Sequence, residues 1–172
     1  IQKENAAVAK GVVESLKNFR WSIAEEKIRE GLSKAKWPGR LQGAKWRGMP
    51  IVIDGAHNPH AARQLSIERS TWHNHESGIT WILGIQVRKD IVNILHNLVK
   101  ENDYVWIVPI PNQKSWSKKQ VLNYCPEYIN QLKEASSVEE VLSQIKDQTG
   151  WPSPPPVITG SLYLVGDLLK RL

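Results

Sequence analysis

The chain has 172 residues, 41% of them apolar, which is enough for a full hydrophobic core and close to the size of one domain. No apolar run approaches the ~20 residues needed to cross a bilayer, and no basic segment leads into an apolar one, so neither a membrane partner nor a signal peptide is expected. The formal net charge of +6 fits a solvated basic surface or an anionic ligand; its Lys and Arg are scattered along predicted helices, which argues against nucleic acid as a partner.

Cys125 is the only cysteine, so a disulfide within the chain is impossible and a cysteine-based zinc site has too few ligands. A single thiol fits a reducing, cytoplasmic compartment. The chain starts at Ile1 and its only methionine is Met49, which leads to the expectation of a piece of a longer protein.

In chain order, residues 1–18 read as a helix, with Ile1, Val8, Val12 and Leu16 at helical spacing. Trp21-Ser22 breaks it. Ser22 and Glu25 fit a capping box, and residues 23–35 read as a second helix that turns Ile23, Ile28 and Leu32 toward a core. Trp37-Pro38-Gly39-Arg40 ends the helical pattern and sets a domain boundary, giving domains 1–37 and 38–172.

After that boundary short apolar runs alternate with amphipathic stretches. Strands are expected at 41–46, 50–54, 79–84, 104–108, 132–135 and 156–159. Helices are expected at 59–70, 90–100, 116–124, 138–148 and 162–172. This alternation predicts an α/β fold, a mostly parallel sheet with helices on both faces and ligands at the carboxyl ends of its strands. The segment 66–77 is polar where the end of helix 59–70 should be apolar.

The richest segment is Ile51-Val52-Ile53-Asp54-Gly55-Ala56-His57-Asn58-Pro59. Three apolar residues make a buried strand, and Asp54 falls at its carboxyl end. Gly55 permits a sharp turn, Asn58 suits an N-cap and Pro59 the first helical position. Asp54 and His57 therefore flank a helix start whose unpaired N–H groups favour anions. By themselves these residue types serve a structural turn as readily as a site.

Asp54-Gly55-Ala56-His57-Asn58-Pro59 resembles the signature of folylpolyglutamate synthases/dihydrofolate synthases, ligases of the Mur type. Four further segments agree in order: Gln2…Asn5-Ala6…Ala9, Trp37-Pro38-Gly39-Arg40-Leu41-Gln42 (with Gln where the family pattern has Glu), Gly84…Lys89-Asp90, and Thr159-Gly160-Ser161-Leu162-Tyr163. The resemblance implies a Rossmann-like C-terminal domain preceded by two helices from the end of a central ATPase domain. It also implies ATP-dependent addition of L-glutamate to a folate or to dihydropteroate through an acyl phosphate, with ATP and Mg2+ as cofactors. By the same resemblance Asn5 and Arg40 contact ATP, Asp54 contacts the nucleotide and helps hold the amino acid, and His57 and Ser161 receive glutamate.

The chain contains no G-x-x-x-x-G-K-[ST] phosphate loop, and the family's magnesium ligands and carbamylated lysine are absent by inference, so the fragment alone is expected to be inactive. No metal ligands are assigned: the pairs His57/His60 and His73/His75 lack a third ligand at recognisable spacing. The loop 111–119, carrying Trp116, is a candidate substrate cover, and Lys89 and Asp90 are secondary ligand candidates. Two other readings stand beside this one. Another Mur-type ligase, acting on a muramyl peptide or making cyanophycin, is disfavoured by Gly55. A non-catalytic module for a nucleotide or amino acid would need its own start codon.

Overall fold

The computed structural model describes residues 3–35, 37–148 and 150–172. The chain divides into two compact units, Ile1–Pro38 and Gly39–Leu172.

In the first unit, helix α1 (Lys3–Ser15) continues as a 3-10 turn, Leu16–Phe19, closed by Arg20 in a left-handed conformation. Helix α2 spans Glu25–Lys34. The expected capping box does not form: Ala24 is the N-cap, without a side-chain cap, and Ser22 lies two residues upstream of it. Glu25 and Glu26 in the first turn complement the helix dipole instead. Of the three residues expected to face a core, only Ile28 is buried; Ile23 and Leu32 are exposed, as are Val8 and Val12 on α1. Two short helices have too little apolar surface to enclose them all. Ile1 and Gln2, part of the expected helix and of the first matching segment, lie outside the described residues.

The second unit is the predicted α/β sandwich. Strand β1 (Gln42–Trp46) pairs antiparallel with β2 (Met49–Ile53), and the turn residues Arg47 and Gly48 both have positive φ, at 47° and 83°. That geometry matches the right-handed twist of a two-residue hairpin. Helix α3 (Pro59–Arg69), β3 (Thr80–Leu83), α4 (Ile91–Leu98), β4 (Tyr104–Ile107), α5 (Lys118–Tyr124), β5 (Leu132–Glu134), α6 (Val138–Gln148), β6 (Val157–Thr159) and α7 (Leu162–Leu169) follow. The sheet order is β1-β2-β6-β3-β4-β5, and every pair except β1–β2 is parallel. The last strand thus returns to the middle, between β2 and β3, and its carboxyl end lies beside theirs.

Side-chain alternation along the strands builds a core on each face. Trp81, Leu83, Val105 and Ile107 pack with Leu65 of α3, Leu95 of α4 and Val121 of α5. Ile82, Trp106 and Ile158 point to the other face, against Leu142 of α6 and Leu164 and Leu168 of α7.

The polar end of α3 has a structural cause. Arg69 is buried and its guanidinium makes a two-pronged contact with Asp103, at 2.5 Å to Oδ2 and 2.8 Å to Oδ1. Asp103 also accepts from the N–H groups of Ile79 and Lys100 and from the Trp81 indole. The helix therefore ends on an ion pair where an apolar residue was expected.

Candidate functional site

Asp54 follows β2 directly and is half-buried. Its Oδ1 accepts from the Ala56 N–H at 2.8 Å and its Oδ2 from the Leu41 N–H at 2.9 Å. One carboxylate therefore fastens the β2–α3 turn to the loop that precedes β1. A second bond does the same, from the Gly55 N–H to the Gly39 carbonyl at 2.7 Å. Gly39, at φ 73°, also donates its N–H to Gln42 Oε1 at 2.8 Å. Gln42 needs only an oxygen acceptor for this task, so its amide serves where the related pattern has a carboxylate.

Arg40 lies between these two anchors. Its neighbours are held at Gly39 and Leu41, the latter with φ 40°, and its own side chain is exposed. A strained, doubly tethered loop thus presents a guanidinium next to Asp54. Burial pushes the Asp54 carboxyl above its usual range; the N–H groups of Leu41 and Ala56, then the charges of Arg40 and His57, oppose that shift.

His57 is half-buried, with Nδ1 2.7 Å from the Gly55 carbonyl. A carbonyl can only accept, so Nδ1 carries the proton and Nε2 remains available to a ligand. Asn58 caps α3 by accepting from the Ala61 N–H at 2.8 Å, with Pro59 at the first helical position.

Strand β6 brings in the second half of the site. The Gly160 N–H donates to the Ala56 carbonyl at 2.9 Å, and Thr159 Oγ1 donates to the same oxygen at 3.3 Å. Gly160 has φ 101°, and a Cβ there would meet the Gly84 carbonyl at 2.7 Å, so only glycine lets the ends of β6 and β3 approach. Ser161 follows as the N-cap of α7, 4% exposed, its Oγ accepting from the Tyr163 N–H at 3.1 Å. The hydroxyl hydrogen is left to donate elsewhere.

Arg40, Asp54, His57 and Ser161 are thus gathered at the carboxyl edge of neighbouring strands. Asn5 lies on α1 of the first unit, exposed. Asp90 caps α4 and binds the Asn93 side chain, and the Lys89 carbonyl accepts from the Trp116 indole at 3.3 Å. Trp116 also packs edge-on to Tyr124 and against the core, which makes it a brace between two loops. Sequence reasoning missed the backbone donors of Leu41 and Ala56 and the staple at Gln42. The segment Trp37–Gln42 had been singled out, but nothing in its residue types says that its backbone grips Asp54.

The family model for the C-terminal domain of dihydrofolate synthetase matches residues 40–171. The chain is 31% identical to the folylpolyglutamate synthase of Lacticaseibacillus casei, over 99% of this chain and 38% of that protein. The crystal structure of folylpolyglutamate synthase from Thermotoga maritima superposes with a TM-score of 0.67 at 27% identity, covering 99% of this chain and 38% of that one. A bifunctional folylpolyglutamate synthase/dihydrofolate synthase with Mn, AMPPNP and L-glutamate bound superposes at 0.68 and 25% identity, over 88% of this chain and 35% of that one. The chain spans about two fifths of the length of curated relatives that it matches from end to end. The core built on six strands, the Asp54–Pro59 turn and the matched domain agree, and the chain belongs to the folylpolyglutamate synthase/dihydrofolate synthase family.

Proposed function

We propose that this chain is part of an ATP-dependent ligase that adds L-glutamate to a folate, to dihydropteroate or to both, in the cytoplasm. On this reading Gly39–Leu172 is the glutamate-ligase domain and Ile1–Pro38 is the end of the central ATPase domain, a boundary one residue beyond that expected from sequence. The observation that carries the reading is that Asp54 accepts from the backbone of Leu41 and Ala56 while the Ala56 carbonyl accepts from Gly160, which draws together the loops that carry Arg40, Asp54 and Ser161.

The donor set fits anionic substrates. Arg40 offers a planar, permanently charged fork to nucleotide phosphates. His57 Nε2 and the Ser161 hydroxyl, at the start of α7, suit the carboxylates of glutamate. Asp54, which keeps acceptor capacity beyond its bonds to Leu41 and Ala56, can hold the ammonium of the incoming amino acid or a nucleotide hydroxyl. ATP with Mg2+ supplies the phosphoryl group that converts a resistant carboxylate into an acyl phosphate open to amine attack. The residues described here then position the amine and neutralise charge as phosphate leaves. No Mg2+ ligand is assigned to this chain.

The test is ATP hydrolysis by the complete ligase, dependent on both a folate or dihydropteroate and glutamate. Activity with a UDP-muramyl substrate and none with folates rejects the assignment. Because the 172 residues hold no phosphate loop, the purified fragment is expected to show no such turnover.

A further inference from the structure

A second cluster of chemically able side chains lies away from the site above. His96 is in the last turn of α4, Cys125 is the C-cap of α5, and Glu127 belongs to the 3-10 turn Pro126–Tyr128 that leads toward β5. Their ligand atoms all lie within 4.8 Å of one another. Helix α4 starts from the carboxyl end of β3 and ends where β4 begins, so the cluster belongs to the opposite edge of the sheet from Asp54 and Ser161.

The arrangement is built. The Cys125 N–H donates to the Val121 carbonyl at 2.9 Å, and the Tyr128 N–H donates back to the Cys125 carbonyl at 3.3 Å, which fixes the turn around the thiol. Cys125 is fully buried, yet what stands over it is an imidazole and a carboxylate, joined at 3.0 Å between His96 Nε2 and Glu127 Oε1. Both of those side chains are about half exposed and can swing. The Tyr128 ring flanks the imidazole at 6.1 Å.

We propose that His96, Cys125 and Glu127 form a binding site for a borderline-soft divalent cation of the Zn2+ class. A thiolate, an imidazole nitrogen and a carboxylate oxygen are the ligand types this ion takes, and solvent supplies the fourth position. Bonds of about 2.3 Å to sulfur and 2.0 Å to nitrogen in a tetrahedron bring those atoms to about 3.5 Å apart. The cluster therefore needs to close by roughly 1 Å, within reach of rotamer changes in two exposed side chains. On binding, the metal–sulfur bond replaces the S–H bond and the proton leaves to solvent. The imidazole proton moves to Nδ1, and the His96–Glu127 hydrogen bond gives way to two metal bonds. The ion would clip α4 to the α5–β5 corner, joining residues 31 positions apart.

The test is Co2+ titration of the purified chain, read by absorbance. One equivalent should give ligand-field bands and a thiolate-to-cobalt charge-transfer band, both removed by Zn2+. Cys125→Ala should abolish the charge-transfer band. His96→Gln and Glu127→Gln change exposed residues, leave the core intact and should each weaken binding by ~10-fold or more. No charge-transfer band in the unsubstituted chain, a band that survives Cys125→Ala, or affinity unchanged in both surface variants overturns the site. The result is independent of the ligase assignment, since neither readout involves turnover.

Discussion

Two aspartates show how this fold separates structure from chemistry. Asp103 is fully buried and saturated: both prongs of Arg69, two backbone N–H groups and an indole meet its two oxygens. Asp54 is only half-buried and holds one backbone N–H on each oxygen, with an exposed arginine beside it. A carboxylate accepts about four hydrogen bonds, so Asp54 retains capacity that Asp103 has used. The first residue locks α3 to the sheet; the second keeps acceptor room facing the carboxyl edge.

The largest expected effect is on the structural side. Arg69→Ala leaves a buried, uncompensated carboxylate and should cost about 3–5 kcal/mol, measured by urea denaturation. An unchanged midpoint would show that Asp103 does not depend on its partner. Arg40→Ala should reverse the pattern: stability held, turnover of the complete ligase lowered by ~10²-fold, the scale of losing a charge contact in the transition state. Unchanged kinetics would reduce Arg40 to a surface ion-pair residue. His57→Ala should raise the glutamate requirement more than the ATP requirement, and the opposite split would move His57 to the nucleotide. Ser161→Ala removes the cap of α7 and should cost about 1 kcal/mol in a denaturant melt, in addition to any weakening of glutamate binding.

The smallest effect is a pH dependence. Burial raises the Asp54 carboxyl in the folded state, so the folded form holds the proton more tightly than the unfolded chain does. The stability this provides is complete below the unfolded value and is lost as pH rises through the folded one. Asp54→Asn has no such loss, so its melting temperature should gain on that of the unsubstituted chain across that window. Parallel curves would mean that burial and the opposing bonds balance.

Much of this was legible in the sequence because the signals were local. The run Ile51–Ile53 ended by Asp54-Gly55, the Asn58-Pro59 helix start and the apolar runs at 79–84 and 104–108 each specify their own element. Among the candidate residues, Asp54 and His57 stood out by their place at a strand end and helix start, whereas Arg40 and Ser161 were singled out only through resemblance to a family, since neither carries a local mark of partnership with residue 54. What escaped was long-range. The Arg69–Asp103 pair spans 34 positions and reads in sequence as a misplaced polar residue. The Ser22 cap failed because the helix start was placed by a side-chain motif, whereas acidic residues in its first turn suffice. The His96, Cys125 and Glu127 cluster comes from two helix ends that only the sheet brings together.

Glutamate-dependent ATP hydrolysis by the proposed full-length ligase carrying Asp54→Asn is the decisive measurement. An amide can accept from only one of the Leu41 and Ala56 N–H groups and cannot hold an ammonium as a carboxylate does. The predicted result is a turnover loss of ~10²-fold or more with a folded protein; turnover equal to that of the unsubstituted enzyme would contradict it.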